Sequence, residues 1–276
     1  MNGNKAVLVT TDGSAHSHRV LPHAALLAMA LKAPLVLLQA LDSADMDGTR
    51  AAADAAATLK RLGLEGEVLI EASGPEEKTA EALLRVAGRL GAAVLAIDSR
   101  GHGALRHVLH GSVALDVLQK ASLPLLVSGP NLELGARQAA PYRIMATSDG
   151  SAASGEMLRL LATLVGGGGV AVTLLRVHEH EPGGKDDAAA VQACRDELAA
   201  ARALLPGSMS VETLVREIPL GAGVDTTIIE TAQELGAHAI AMSTHGHSAG
   251  RHVVMGSVAM LLLGRSPLPL LLARAV

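Results

Sequence analysis

A chain of 276 residues, 49% of them hydrophobic, is too long for one small domain and sufficient for two of about 140 residues each. Its net charge of −4, the lack of any basic run, and the absence of Phe and Trp argue against nucleic-acid binding, which draws on basic patches and aromatic stacking platforms. The single cysteine, Cys194, excludes a disulfide framework and a cysteine-rich zinc site.

The opening MNGNKAVLVTTDGS passes from a short polar start straight into a strand-like segment, unlike a signal peptide. The strand-like runs of the first half are residues 6–11, 34–41, 67–72, 93–98 and 123–128. Each is short and nearly continuous in its apolar character, as in strands buried on both faces. Helical segments separate them. Pro22 falls inside the first and predicts a kink. A later helix is predicted over 75–90, with Pro75 at its first position and Glu76 and Glu77 in its first turn. Leu83, Leu84, Ala87 and Leu90 would share its buried face, and Gly91 would end it. Its counterpart in the second half would bury Val224, Ile228, Ile229, Ala232 and Leu235 and stop at Gly236. The most apolar stretch, near the C-terminus, is interrupted by Arg265 and two prolines, which makes it a poor membrane span. The expectation is a soluble, cytoplasmic protein without nucleic-acid or membrane partners.

The two halves repeat. VLVTTDGSAHS (7–17) returns as IMATSDGSAAS (144–154), GHGALRHVLHGSV (101–113) as GHSAGRHVVMGSV (246–258), and SLPLLVSG (122–129) as PLPLLLAR (267–274). The later matches are spaced further apart than the first, so the second unit carries an insertion, placed around HEHEPGGKDD. The predicted organisation is a first domain over 1–129, a linker over 130–141 and a second domain over 142–276. Five strands alternating with four helices in each unit make the fold class α/β: two doubly wound, parallel five-stranded sheets with helices on both faces.

In such sheets ligands bind at the carboxyl ends of the strands, where the strand order reverses. Two segments of each unit end there. The first strand runs into TTDGS or TSDGS. The fourth runs into a glycine-rich loop, DSRGHGALRHVLHGS (98–112) or STHGHSAGRHVVMGS (243–257), followed by a helix. A helix N-terminus preceded by Gly-Ser offers N–H groups and a hydroxyl suited to phosphate. A loop that needs glycine only for its turns is an equal reading of these residues alone. No Walker Gly-Lys-Ser/Thr is present, and no Gly-x-Gly-x-x-Gly follows the first strand.

These motifs resemble a tandem universal stress protein, two UspA-type domains in one polypeptide. Nucleotide-binding members of that family carry Gly-x2-Gly-x9-Gly-Ser/Thr after the fourth strand and an Asp at the end of the first. Here the segments are Ser243-x2-Gly246-x9-Gly256-Ser257 and Asp98-x2-Gly101-x9-Gly111-Ser112, so both units depart at the first glycine. The resemblance implies an adenine nucleotide, ATP or a relative with or without Mg²⁺. Asp149 and the backbone near Thr147 and Val177 would hold base and ribose. The backbone of Met242, Ser243, Gly246, Gly256, Ser257 and Val258 would hold the phosphates. A weaker or degenerate second site would comprise Thr10, Asp12, Ala40, Ile97, Asp98, Gly101, Gly111, Ser112 and Val113.

The departures differ in chemistry. Ser243 is neutral, whereas Asp98 sets a carboxylate near phosphate, a repulsion of roughly 4 kcal/mol at 4 Å and an effective dielectric near 20, before screening. Ala40 in place of Val177 removes apolar contact worth about 1–2 kcal/mol at most. The resemblance also implies pairing of the two units through their last strands. It leaves open a homodimer of the whole chain and an unidentified protein partner.

Histidines cluster in the loops as His102, His107 and His110, as His245, His247 and His252, and in HEHE (178–181). None has the spacing of a zincin, so no metal is expected. Arg106-His107 and Arg251-His252 recur at the same place, either against phosphate or solvated. No motif sets a base against a nucleophile, so no enzyme is expected beyond weak ATP hydrolysis. The functional reading is a stress-response regulator or sensor that binds an adenine nucleotide mainly in domain 2. The alternatives are an interaction protein with degenerate sites and, less favoured, a slow nucleotide hydrolase.

Overall fold

A computed structural model describes residues 5–41, 47–74, 76–99, 112–133, 140–166, 169–179, 187–219, 221–244 and 255–274. The first unit runs β1 (Val7–Thr11), α1 (Leu21–Leu31), β2 (Leu35–Leu41), α2 (Gly48–Arg61), β3 (Glu67–Ala72), α3 (Thr79–Arg89), β4 (Val94–Asp98), α4 (Ser112–Lys120) and β5 (Leu125–Ser128). The second repeats it as β6 (Tyr142–Thr147), α5 (Ala152–Val165), β7 (Val170–His178), α6 (Asp187–Arg202), β8 (Ser210–Glu217), α7 (Val224–Glu234), β9 (Ala239–Ser243), α8 (Ser257–Arg265) and β10 (Leu270–Ala273). Among the described residues no helix is long and apolar enough to cross a membrane.

The two five-stranded sheets join into one of ten strands, ordered β3-β2-β1-β4-β5-β10-β9-β6-β7-β8. Pairing is parallel within each unit, and β5 meets β10 antiparallel. Leu126 lies opposite Leu271, while Leu125 faces Leu272 and Val127 faces Leu270. Leu126 and Leu271 are equivalent positions of the repeat, so a pseudo-two-fold axis passes between them. Pairing covers two apolar edges that would otherwise be open to other chains. One face of the sheet carries a core continuous across both units, with Val9, Leu37, Leu126, Ile144, Leu174 and Leu271. The other face carries Leu8, Ile97, Val127, Ile240, Leu270 and residues of α3, α4, α7 and α8.

Several local expectations need correction. Pro22 does not kink α1 but lies in its first turn. It lacks the N–H that would bond to the carbonyl of His18, so continuous helix cannot pass through it from upstream. The residues before it form turns, with Arg19 N–H on His16 O and Leu21 N–H on His18 O. In the second unit, which has no proline there, α5 begins at Ala152, directly after its N-cap Ser151.

The helix expected from residue 75 begins at Thr79, with Lys78 as N-cap. Glu77 is upstream of it, accepting the Gly74 N–H at 3.0 Å and the Arg85 Nε–H at 2.8 Å. Arg85 and that N–H hold its carboxyl down at about 2. Pro75 lies outside the described residues. Leu83 and Ala87 are buried as expected, together with Ala80, Ala82 and Val86, but Leu84 is only half-buried and Leu90 is exposed. In α7, Ile228 and Ala232 are buried, while Val224, Ile229 and Leu235 are half-buried. β3 and β8 are the outer strands, so they are not buried on both faces.

Residues 130–133 are docked rather than loose. Arg19 donates to the carbonyls of Pro130 and Leu132, and Asn131 Nδ2 to that of Gly264. Glu133 N–H bonds Pro267 O at 2.9 Å, and His23 Nε2 lies 2.9 Å from Glu133 O. His23 is buried, and burial holds its pKa below the usual 6.5, with Arg19 and His238 acting in the same direction and Glu133 against it. The folded chain therefore takes up this proton less readily than the unfolded one. The stabilisation is complete above about 6.5 and is lost as the pH falls below it. Thermal unfolding from about pH 7.5 to about pH 5 is expected to show a larger loss for the wild type than for His23→Gln, which keeps a donor to Glu133. Equal losses would place the acid sensitivity elsewhere.

Candidate functional site

The Asp-Gly-Ser segment is built the same way in both units. Gly13 and Gly150 have φ of 80° and 79°, a region open to glycine and strained for other residues. Asp12 Oδ1 accepts the Ser14 N–H at 2.9 Å, and Asp149 Oδ1 accepts the Ser151 N–H at 3.0 Å. Ser14 and Ser151 then accept the N–H of Ser17 and Ser154 at 3.2 and 3.1 Å. The motif thus ends the first strand with a turn and, in the second unit, caps the next helix.

Between β6 and β9 the strand order of the second unit reverses, and a 330 Å³ cleft opens there at the carboxyl ends of the strands. Thr147, Asp149, Val177, Met242, Ser243, Gly256, Ser257 and Val258 all line it. Gly246 lies outside the described residues. Sequence reasoning missed the rest of the wall: Ser148, Ser154, Leu175, Arg176, Glu179, Val224, Ile228, Thr244 and Ala259. Its apolar lining comprises Leu175, Val177, Val224 and Ile228 together with Met242, Val258 and Ala259. The wall also holds Gly256 and the first turn of α8, whose leading N–H groups have no intrahelical acceptors. Gly256 N–H bonds Thr244 O at 2.7 Å, which closes the loop at its base. Arg176 Nε lies 3.3 Å from Glu197 Oε2, bringing a guanidinium to the cleft where the first unit has Gln39.

Gly256 is informative because its own backbone conformation does not require glycine. Its φ of −64° and ψ of 158° suit any residue. Among the described residues a Cβ there would meet Thr244 O, at 3.5 Å, which is ordinary contact.

In the first unit, Thr10 and Asp12 stand at the end of β1, Ala40 near the end of β2, and Ile97 and Asp98 at the end of β4. Ser112 and Val113 open α4. Thr10 Oγ1 donates to Ala96 O at 3.3 Å. Asp98 is buried directly opposite Ser128, whose hydroxyl donates to its Oδ2 at 2.6 Å. The sequence did not suggest this partner. Gly101, Gly111, His102, His107, His110, His245, His247, His252, Arg106 and Arg251 lie outside the described residues. Among the described residues no cluster of three or more potential metal ligands occurs.

The family model for the universal stress protein family matches residues 3–128 and again 142–274. The chain belongs to the universal stress protein family. It carries the family's domain twice, as a tandem protein. A universal stress protein from Archaeoglobus fulgidus DSM 4304 superposes with a TM-score of 0.61 at 18% identity, covering 99% of each chain. A functionally unknown protein from Pseudomonas aeruginosa PAO1 gives 0.63 at 17% identity, covering 98% of this chain and 92% of that one. These two share the tandem architecture. A shorter universal stress protein in complex with cAMP is 26% identical over 45% of this chain and 94% of its own, with a TM-score of 0.36. No curated protein gives a significant match.

Proposed function

We propose that this tandem universal stress protein binds an adenine nucleotide, ATP or a close relative, in the cleft of its second unit and serves as a cytoplasmic stress sensor or regulator rather than an enzyme. One observation carries the reading. Gly256 lines the cleft at a helix N-terminus although its backbone conformation does not call for glycine and, among the described residues, a Cβ would meet nothing closer than Thr244 O at 3.5 Å. A ligand that must approach the backbone closely accounts for it, and phosphate is the group that N–H donors and a helix dipole attract. The apolar lining of the cleft suits a flat base, and Asp149, which also lines it, would accept from ribose hydroxyl or base amino donors. Mg²⁺ would accompany the phosphates as their counterion. Calorimetric titration of the intact chain with ATP and Mg²⁺ tests the reading. Saturable binding of one nucleotide supports it, and no binding of ATP, ADP or AMP refutes it.

The first unit is the weaker site because of Asp98. Asp98→Asn removes the charge while keeping an acceptor for the Ser128 hydroxyl. It is expected to add a second binding event in the same titration. An unchanged isotherm would show that the carboxylate does not set the difference between the units.

Turnover is expected to be negligible. The sequence carries no Walker lysine motif and no motif that sets a base against a nucleophile. A phosphate-release assay should stay far below the ordinary enzyme rate of about 1 per second or more. A rate of that order, lost in Gly256→Val, would reveal an active site.

A further inference from the structure

The pseudo-two-fold axis makes the molecule its own control. At the seam between the units, on the side of the strands' amino ends, lie two cavities built from equivalent positions of the repeat. The one lined by His23, His238 and Pro267 measures 20 Å³, about the space of a single water in this measure. Its counterpart, lined by Leu160, Ala93 and Ser122 at the matching positions, measures 350 Å³. The difference has identifiable causes. His238 stacks on Tyr142 with ring centroids 4.8 Å apart, and docked Glu133 closes the cavity from the side. The residues equivalent to that stacked pair are Ala93 and Lys5. The open cavity is otherwise walled by apolar side chains, including Leu123 and Leu164, and by the small polar Ser122 and Thr163, and among the described residues lining it Lys5 is the one charged residue. No lining residue belongs to the nucleotide cleft.

We propose that this seam cavity binds a small planar aromatic carboxylate. Its ring would occupy the space that the Tyr142–His238 stack fills in the other half, and its carboxylate would meet the Lys5 ammonium. The reasons are volume, shape and charge. The cavity falls within the range of small-molecule sites, about 300–1,000 Å³. The fold fills the equivalent place with stacked rings, so flat groups fit between these helices and strands. The replacement of Tyr142 by Lys5 exchanges a ring for a cation, which favours an anionic occupant. Because the cavity spans α5 of one unit and β-strand ends of the other, its occupant would bridge the units and tighten their pairing.

The test uses the intact chain and 2-naphthoate, followed by the probe's own fluorescence. Saturable one-to-one binding is expected, weaker by about tenfold or more for the neutral 2-naphthalenemethanol. Lys5→Met should bring naphthoate affinity down to that of the alcohol. Ala93→His, which installs the residue of the filled half, should abolish binding, with thermal unfolding confirming that the variant is folded. Should Ala93→His fail to fold, Ser122→Pro, again the counterpart's residue, should weaken binding. Absence of saturable binding, full binding by folded Ala93→His or by Ser122→Pro, equal affinity for the alcohol, or displacement of naphthoate by ATP would overturn the proposal. The last result would place the probe in the nucleotide cleft.

Discussion

Gly256→Val is expected to weaken ATP binding by about a hundredfold or more, equivalent to about 2.7 kcal/mol, while leaving the protein folded. The two halves of this expectation rest on different facts. Folding should survive because the Gly256 backbone is extended, with φ of −64°, and because the nearest obstacle to a Cβ among the described residues is Thr244 O at 3.5 Å. The cost to the fold is that of a poor N-cap residue in place of glycine, about 1 kcal/mol. Binding should fail because Gly256 lines the cleft, and a branched side chain there would compete for the space where the phosphates would lie against the first turn of α8. Gly256→Ala, with one carbon added, should give an intermediate loss. If Gly256→Val binds ATP as tightly as wild type, the glycine has no ligand-related role and the phosphates lie elsewhere.

The largest effect on stability is expected at the pseudo-axis. Leu126 and Leu271 are fully buried, face each other across the β5–β10 seam, and belong to the core shared by both units. Either Leu→Ala change should cost about 2–5 kcal/mol, because the removed atoms leave a cavity that a sheet held on both faces cannot close. That corresponds to a fall in Tm of roughly 5–15 °C for a chain of this size. The double substitution should deviate from the sum of the two, since the side chains are neighbours. Thermal unfolding monitored by circular dichroism checks both points. Additive losses of under about 1 kcal/mol each would mean that the two units hold together by something other than this pair.

Much of the architecture could be read from short apolar runs. VLVTT, LVLLQAL and VLAID are too short and too continuous for amphipathic helices, and their recurrence after residue 142 announced the second copy. The pairing of SLPLLVS with PLPLLLA was implied by the family resemblance, and two equivalent apolar edges that need covering agree with it. The outer strands β3 and β8 were misjudged because an apolar run does not say whether a neighbour lies on both sides. Pro22 was placed in the right helix but given the wrong effect. A missing N–H can end a helix as readily as bend it, and the turn at His16–Leu21 decided which.

Residues named from motifs line the cleft, while the wall residues brought there by tertiary contact were not named from the sequence. Thr147, Asp149, Gly256 and Ser257 fall in recurring segments that could be aligned by eye. Arg176 sits in mid-strand, and its approach to the cleft depends on Glu197 from α6. Val224 and Ile228 were read as one face of a helix, but nothing local showed that this face meets Val177 and Met242 across the cleft. Asp98 shows the same limit. Its charge was evident, while its bond to Ser128 depends on the β4–β5 register.

A crystal structure of the intact chain grown with excess ATP and Mg²⁺ tests the central claim most directly. It is expected to show one nucleotide in the second unit, its base against Val177 and Ile228 and its phosphates on the N–H groups of Ser257 and Val258. Nucleotide in the first unit alone, or bound elsewhere than the cleft of the second unit, would contradict the assignment.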